Sequence, residues 1–301
     1  MKIAITGGTG FIGSKLTSAL TEQGHTVYIL TRNPDNKPEQ PSVTYVKWLN
    51  EDAEPEKTLD GIDAVVNLAG ESIGDGRWTE ERKKRIMSSR IDATREVISL
   101  IGKLNKKPKV LVNASATGYY GNSLKETFTE ESSPVEQNFL ADVVKKWESE
   151  AIKAEQFEIR TVFTRFGIVL SKNEGALNRM LLPYKLFAGG SLGSGEQWFS
   201  WVHIDDVVGM IIFSLTNEQV EGPINVTAPQ PLKMNDFGKV VAEVLGRPHW
   251  LPAPSFALKI ALGEMSTLVL DGQKVLPEKA EILGYPFQFK TLKPALNDLL
   301  K

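Results

Sequence analysis

Ile3-Ala4-Ile5-Thr6-Gly7-Gly8-Thr9-Gly10-Phe11-Ile12-Gly13 decides the reading of this chain. Ile3-Ala4-Ile5 is a short apolar run of strand character. Beyond the glycines, Phe11, Ile12, Leu16, Ala19 and Leu20 recur at helical spacing. The order is therefore strand, glycine turn, helix. Gly7, Gly10 and Gly13 fall where the backbone must turn tightly and approach a ligand. A side chain there would block a pyrophosphate, while the helix N-terminus offers free N–H donors and a positive dipole end. Chance glycines in an ordinary turn are the alternative; the flanking strand and helix favour nucleotide binding.

The next segments repeat this alternation. Val27–Leu30, Val43–Val46, Ala64–Asn67, Val110–Asn113 and Arg160–Phe163 read as further strands. Short β-branched strands separated by helices predict a Rossmann-type, doubly wound parallel sheet of α/β class. The longest helix is expected from Thr79 to Leu104, with Thr79 as N-cap and acids in its first turn. A second is expected over Val135–Lys153. After Arg165 the pattern changes to a glycine-rich loop, more proline and shorter elements. The expected division is a dinucleotide-binding domain over 1–170 and a smaller, mostly helical substrate lobe over 171–301. The helix near 204–216 is expected to return to the first domain.

Bulk properties narrow the function. The chain has 301 residues, 35 basic and 37 acidic, so nothing in the overall charge suggests capture of nucleic acid or an anionic membrane. With no cysteine, disulfides and thiolate chemistry are excluded, and three scattered histidines argue against a histidine-rich metal site. No run is long enough to span a membrane. The start on a strand argues against a cleaved signal peptide, so a cytoplasmic protein acting on a small molecule is expected. Oligomeric state is not legible.

Several residues carry chemistry. Thr31-Arg32 ends the second strand, where a dinucleotide fold meets the adenosine ribose. An acid there accepts from both ribose hydroxyls. Arginine instead matches a 2′-phosphate, so NADP is expected over NAD, unless Arg32 is only a solvated charge. Leu68-Ala69-Gly70 follows the fourth strand with small residues. Ser115 and Thr117, at the end of the fifth, are candidate catalytic hydroxyls, and Tyr119-Tyr120 is either functional or a packed corner. Asp205 or Asp206 is a candidate cap for the helix after His203, and His203 reads more readily as structural than as a base. Arg90 is a candidate for an anionic substrate.

Together these pieces resemble the extended short-chain dehydrogenase/reductase superfamily. The landmarks are Gly7-x-x-Gly10-x-x-Gly13, Asn67-Leu68-Ala69-Gly70, Tyr119-Tyr120-Gly121, Arg165 and His203-Ile204-Asp205-Asp206. Arg77-Trp78-Thr79, Ser89-Arg90, Trp147-Glu148 and the tail from His249 to Leu300 resemble more closely its atypical epimerase-family proteins with a C-terminal domain of unknown function. The resemblance implies cofactor contacts at Thr6, Gly7, Gly10, Phe11, Ile12, Gly13, Thr31, Arg32, Leu68, Ala69, Gly70 and Ala114. One departure stands out. The superfamily's usual Tyr-x-x-x-Lys pair is absent: counting back from Glu148 puts Leu140 and Val144 at those positions, and no tyrosine has a lysine four residues later. Two functions remain open: an NADP(H)-dependent oxidoreductase or nucleotide-sugar epimerase-like enzyme with unorthodox proton donors, or a non-catalytic NADP-binding sensor or assembly protein.

Overall fold

The computed structural model describes residues 1–35, 37–135, 137–172 and 174–301. In chain order, the main strands are β1 (Lys2–Thr6), β2 (Thr26–Thr31), β3 (Val43–Lys47), β4 (Ala64–Asn67), β5 (Val110–Ala116), β6 (Arg160–Phe166) and β7 (Gly222–Val226). The main helices are α1 (Phe11–Glu22), α2 (Glu80–Lys103), α3 (Phe139–Ala151), α4 (Leu177–Lys185), α5 (Ile204–Thr216), α6 (Met234–Leu245), α7 (Ser255–Leu262) and α8 (Leu292–Leu300). The seven strands form one parallel sheet in the order β7-β6-β5-β4-β1-β2-β3. The winding direction reverses between β1 and β4, so the crevice for a ligand lies at the carboxyl ends of those strands.

Strand period separates two cores. Ile3 and Ile5 face one side with Leu16, Leu20, Val207 and Ile211, so α1 and α5 cover that face. Ala4, Val65 and Leu111 face the other, against Val97 and Ile101 of α2. The helix expected to return from the second lobe is α5. The sheet goes further than expected: its seventh strand, β7, also comes from beyond residue 170.

Helix α2 begins as expected, with Thr79 Oγ1 accepting the Arg82 N–H at 3.2 Å and Glu80 and Glu81 in the first turn. Helix α3 is shorter than the expected Val135–Lys153. It starts at Phe139, where the Asn138 side chain accepts from Ala141 N–H, and passes into a 3-10 turn at Ile152; Glu136, within the expected span, lies outside the described residues. The cap of α5 corrects the sequence reading. His203 Nδ1, not Asp205 or Asp206, accepts the Asp205 N–H at 3.1 Å, and the two aspartates occupy the first turn.

A third core gathers Leu177, Leu181, Phe199, Trp201, Phe237, Val241 and Leu296 in the second lobe. The segment 272–279 runs back to the first domain. Lys274-Val275 pairs in parallel with Thr127-Phe128, Ser123 N–H donates to Gly272 O, and Glu130 accepts from the main-chain N–H of both Asn225 and Lys279. No helix among the described residues is long and apolar enough to cross a membrane.

Candidate cofactor and active site

The glycines of the first turn have distinct physical reasons. Gly7 has φ +67°, and a Cβ there would stand 2.8 Å from Leu68 O. At Gly13 a Cβ would lie 2.2 Å from Gly7 O and 2.7 Å from Gly8 Cα, so only glycine lets α1 close onto the turn. Gly10 is the N-cap of α1 and brings no side chain to it; the first turn also contains no acid. The opening N–H groups of α1 therefore lack a side-chain acceptor and a neutralising charge, which is the arrangement that receives a diphosphate. Gly10 is exposed and Phe11 and Ile12 are half-buried beside it.

Around this turn the other candidates take different parts. Thr31 is half-buried at the end of β2, and Arg32 is exposed beside it, with no carboxylate partner among the described residues. Thr6 turns its hydroxyl inward: Oγ1 donates to Asn67 Oδ1 at 2.6 Å and accepts from the N–H groups of Leu68 and Ala69. Its side chain thus ties β1 to the end of β4, and the residue is wholly buried. Asn67 continues the seam, donating to Asn113 Oδ1 and Thr94 Oγ1, and Trp147 Nε1 donates to the same threonine. Ala114 is buried in β5. Gly70 is exposed, and its missing side chain makes room for Arg90, whose Cζ would lie 3.1 Å from a Cβ there.

At the end of β5 the two candidate hydroxyls part company. Ser115 is buried and donates to Glu148 Oε1 at 2.5 Å. Glu148 also accepts two bonds from Arg165 at 2.9 Å each, and Arg165 donates onward to Tyr120 Oη, which donates to Asn225. Arg165 lies within β6 rather than after it. Tyr120 is fully buried and bonded to Asn225, as a packed corner requires, and burial pushes its phenol up to about 12. Half-buried Tyr119 stacks under the Arg165 guanidinium, 3.5 Å from ring centroid to Cζ. Thr117 is different. Its Oγ1 accepts from Gln273 Nε2 at 3.1 Å, and its own proton has no acceptor among the described residues.

The turn after β5 touches α3 at Leu140 and Val144, the positions to which the resemblance assigns the proton-transfer pair. A Cβ on Gly118 would lie 3.5 Å from Leu140 Cβ and 4.0 Å from Val144 Cγ2. Those positions do face the corner, and apolar side chains fill them. Lys145 is half-buried, and exposed Lys146 pairs with Asp142 at 3.0 Å.

Arg90 donates to the carbonyls of Glu71 and Ile86 and stacks over Trp147. Burial lowers its pKa to about 10. It braces the loop after β4. His203 is buried; Nδ1 caps α5, so the neutral ring carries its proton on Nε2, 3.3 Å from Asp298 of α8. Ligand atoms of His203, Asp205 and Asp298 lie within 4.8 Å of one another, yet Lys15 already pairs with Asp205 at 3.2 Å. The group lies against the C-terminal helix, with His203 Nε2 making no hydrogen bond among the described residues. Asp206 ties down the segment before that helix, accepting from the N–H groups of Gln288 and Phe289 and from Tyr285.

Sequence reasoning missed Gln273 as a neighbour of Thr117, since 156 residues separate them and no spacing rule joins them. It marked Glu148 and Arg165 singly and missed their pairing.

A parallel sheet with its reversal at β1/β4, a bare helix start there and a second lobe over the carboxyl edge define a dinucleotide-binding α/β protein. Residues 3–227 match the model of the NAD dependent epimerase/dehydratase family, and 253–299 match a domain of unknown function, DUF1731. The chain belongs to the NAD-dependent epimerase/dehydratase family. It is 52% identical over 300 residues to epimerase family protein YfhF of Bacillus subtilis, covering 100% of this chain and 98% of that one. It is 46% identical over 297 residues to epimerase family protein SA0724 of Staphylococcus aureus, covering 99% and 98%. Among solved structures, it resembles the human epimerase family protein SDR39U1 with NADPH, at a TM-score of 0.87 and 33% identity over 99% of both chains. UDP-glucuronic acid 4-epimerase of Bacillus cereus, with UDP-glucuronic acid and NAD, shares the fold at a TM-score of 0.79 and 18% identity, over 98% of this chain and 96% of that one.

Proposed function

We propose that this protein is an NADP(H)-dependent oxidoreductase, epimerase-like in origin, acting on a small carbonyl or alcohol. The observation that carries the reading is the uncapped, acid-free start of α1 next to the exposed Arg32. Gly7, Gly10, Phe11, Ile12 and Gly13 would receive the diphosphate, Thr31 and Arg32 the phosphorylated ribose, and Leu68, Ala69, Gly70 and Ala114 the crevice floor. The NADPH named with the human relative supports the choice of dinucleotide. When bound, the dinucleotide supplies or accepts a hydride at its nicotinamide ring.

Thr117 is the hydroxyl we assign to the reacting oxygen. Ser115 and Tyr120 already donate their hydroxyl hydrogens in bonds to Glu148 and Asn225. Thr117 accepts from Gln273, which leaves its O–H free to donate. A threonine is a poor acid, so its part is to stabilise a developing alkoxide by hydrogen bonding, with solvent completing the proton transfer.

Leu140 and Val144 at the usual pair positions favour a second reading, a nicotinamide-binding sensor or assembly protein without turnover. The two separate in one experiment. The protein is incubated with C4-deuterated NADPH and a panel of ketones, aldehydes and nucleotide sugars, and products are analysed by mass. Stereospecific deuterium transfer establishes the oxidoreductase; tight NADPH binding with no transfer across the panel leaves the sensor.

A further inference from the structure

The segment 272–276 of the C-terminal domain crosses back to the corner after β5 and is fixed there by its main chain. Ser123 N–H donates to Gly272 O at 3.0 Å, and Leu276 N–H donates to Phe128 O at 2.9 Å. Ser200 Oγ donates to Gln273 O at 2.8 Å and accepts from Val275 N–H at 3.0 Å. Asn225 Nδ2 donates to Leu276 O at 2.9 Å. At Gly272 a Cβ would lie 2.1 Å from Trp198 O, so glycine alone permits this approach.

The period of an extended chain then sorts the side chains. Val275 is fully buried with Tyr120 and Phe128. Lys274 turns the other way, its ammonium 5.1 Å from the Trp198 ring centroid. Gln273 shares the side of Val275, and its Nε2 donates to Thr117 Oγ1 at 3.1 Å.

This bond is not what holds the pieces together. The segment has the main-chain anchors just given, and the corner is locked by Ser115, Glu148, Arg165, Tyr120 and Asn225. What the bond does decide is the direction of one proton. A threonine hydroxyl has one O–H and two lone pairs. An amide N–H on the oxygen occupies a lone pair and turns the O–H elsewhere. A carboxylate at position 273 would do the reverse and accept that proton.

We infer that Gln273 is a positioning residue, brought by the C-terminal domain to aim the Thr117 hydroxyl at the reacting oxygen. The inference rests on the reading of the protein as an oxidoreductase. In reduction the substrate carbon gains the hydride, its oxygen keeps the electron pair of the broken π bond, solvent supplies the completing proton, and NADPH becomes NADP+. The aimed O–H steadies that oxygen as its charge develops. The domain matched over 253–299 thereby takes part in the chemistry as well as in packing.

Two measurements on the full chain test this. In nitrogen-labelled protein, the NMR signal of the Gln273 side-chain amide, identified by its loss in Gln273→Glu, should shift in Thr117→Val. The second is deuterium transfer from C4-deuterated NADPH to whichever carbonyl compound of the panel reacts fastest. Gln273→Met keeps the shape and removes the donor; it should lower kcat about tenfold, the worth of one hydrogen bond, with NADPH affinity and melting temperature nearly unchanged. Gln273→Glu should be slow at neutral pH, where its carboxylate takes the Thr117 proton, and should recover as acid protonates it and restores a donor. The wild type should lack that acid limb, and adding Thr117→Val to Gln273→Glu should remove it. An amide signal indifferent to Thr117→Val overturns the inference. So does wild-type kcat in Gln273→Met, or a Gln273→Glu pH profile parallel to that of the wild type. A wild-type protein that transfers no deuterium overturns the oxidoreductase reading and this role with it, and is told apart because the amide signal still answers to Thr117→Val.

Discussion

Two corners of one sheet edge solve opposite problems. The turn from Gly7 to Gly13 is built by removal: side chains are absent so that a helix start stays bare and main-chain amides face outward. The corner after β5 is built by filling: Leu140 and Val144 close it with apolar side chains, and Ser115, Glu148, Arg165, Tyr120 and Asn225 lock together beneath it. In the first, specificity comes from backbone geometry. In the second, most polar groups are consumed in holding strands and lobes together, and the Thr117 hydroxyl, which accepts from Gln273, has no acceptor for its proton among the described residues. The proposed cofactor cradle is thus a matter of backbone, and the neighbouring corner a matter of packed side chains.

The largest effect should come from breaking the filled corner. Glu148→Ala leaves the Arg165 guanidinium buried without its carboxylate and should cost about 3–5 kcal/mol in urea unfolding. Replacing both, as Glu148→Leu with Arg165→Met, should cost much less than the single change. If the double variant is as unstable as Glu148→Ala, the network does not act as a pair. On the bare side, Gly13→Ala forces a Cβ into backbone atoms that have no room to move, and should destabilise by about 3 kcal/mol and abolish dinucleotide binding. Gly10→Ala, whose closest contact would be 3.2 Å, should be far milder in folding.

Smaller effects sharpen the functional half of the contrast. Arg32→Asp should weaken NADPH by about 1.5–3 kcal/mol in fluorescence titration and NADH much less; equal losses would remove the 2′-phosphate assignment. Thr117→Val should leave NADPH affinity and melting temperature nearly unchanged while reducing deuterium transfer, and unchanged transfer would free Thr117 of its part.

The smallest effect is with pH. Desolvation holds the pKa of buried His203 below its ordinary value. A depressed histidine pKa means the unfolded chain binds the proton first, so stability present above about pH 6.5 is lost as pH falls below it. The melting temperature should decline on acidification, and His203→Asn should decline less. Equal slopes would show that His203 does not carry the effect.

The same contrast explains what the sequence made legible. The glycine turn needs residues three apart on one strand–turn–helix unit, so spacing alone discloses it. Six strands and α2 with its Thr79 cap follow from local period and capping chemistry. The Ser115–Glu148 bond spans 33 residues and the Gln273–Thr117 bond 156, and neither has a local signature. The cap of α5 was misjudged because aspartate is the commoner cap, while His203 alone stands at the N-cap with Nδ1 turned toward the Asp205 N–H. Strand β7 was overlooked because Gly222-Pro223 opens it, and proline is poor strand chemistry except at an edge, which is where β7 lies.

Calorimetric titration of the folded apoprotein with NADPH and with NADH tests the dinucleotide cradle most directly. One site per chain is expected, tighter for NADPH, with thermal stabilisation that Gly13→Ala removes. Neither heat nor stabilisation with either dinucleotide would contradict the cradle, and the oxidoreductase assignment would fall with it.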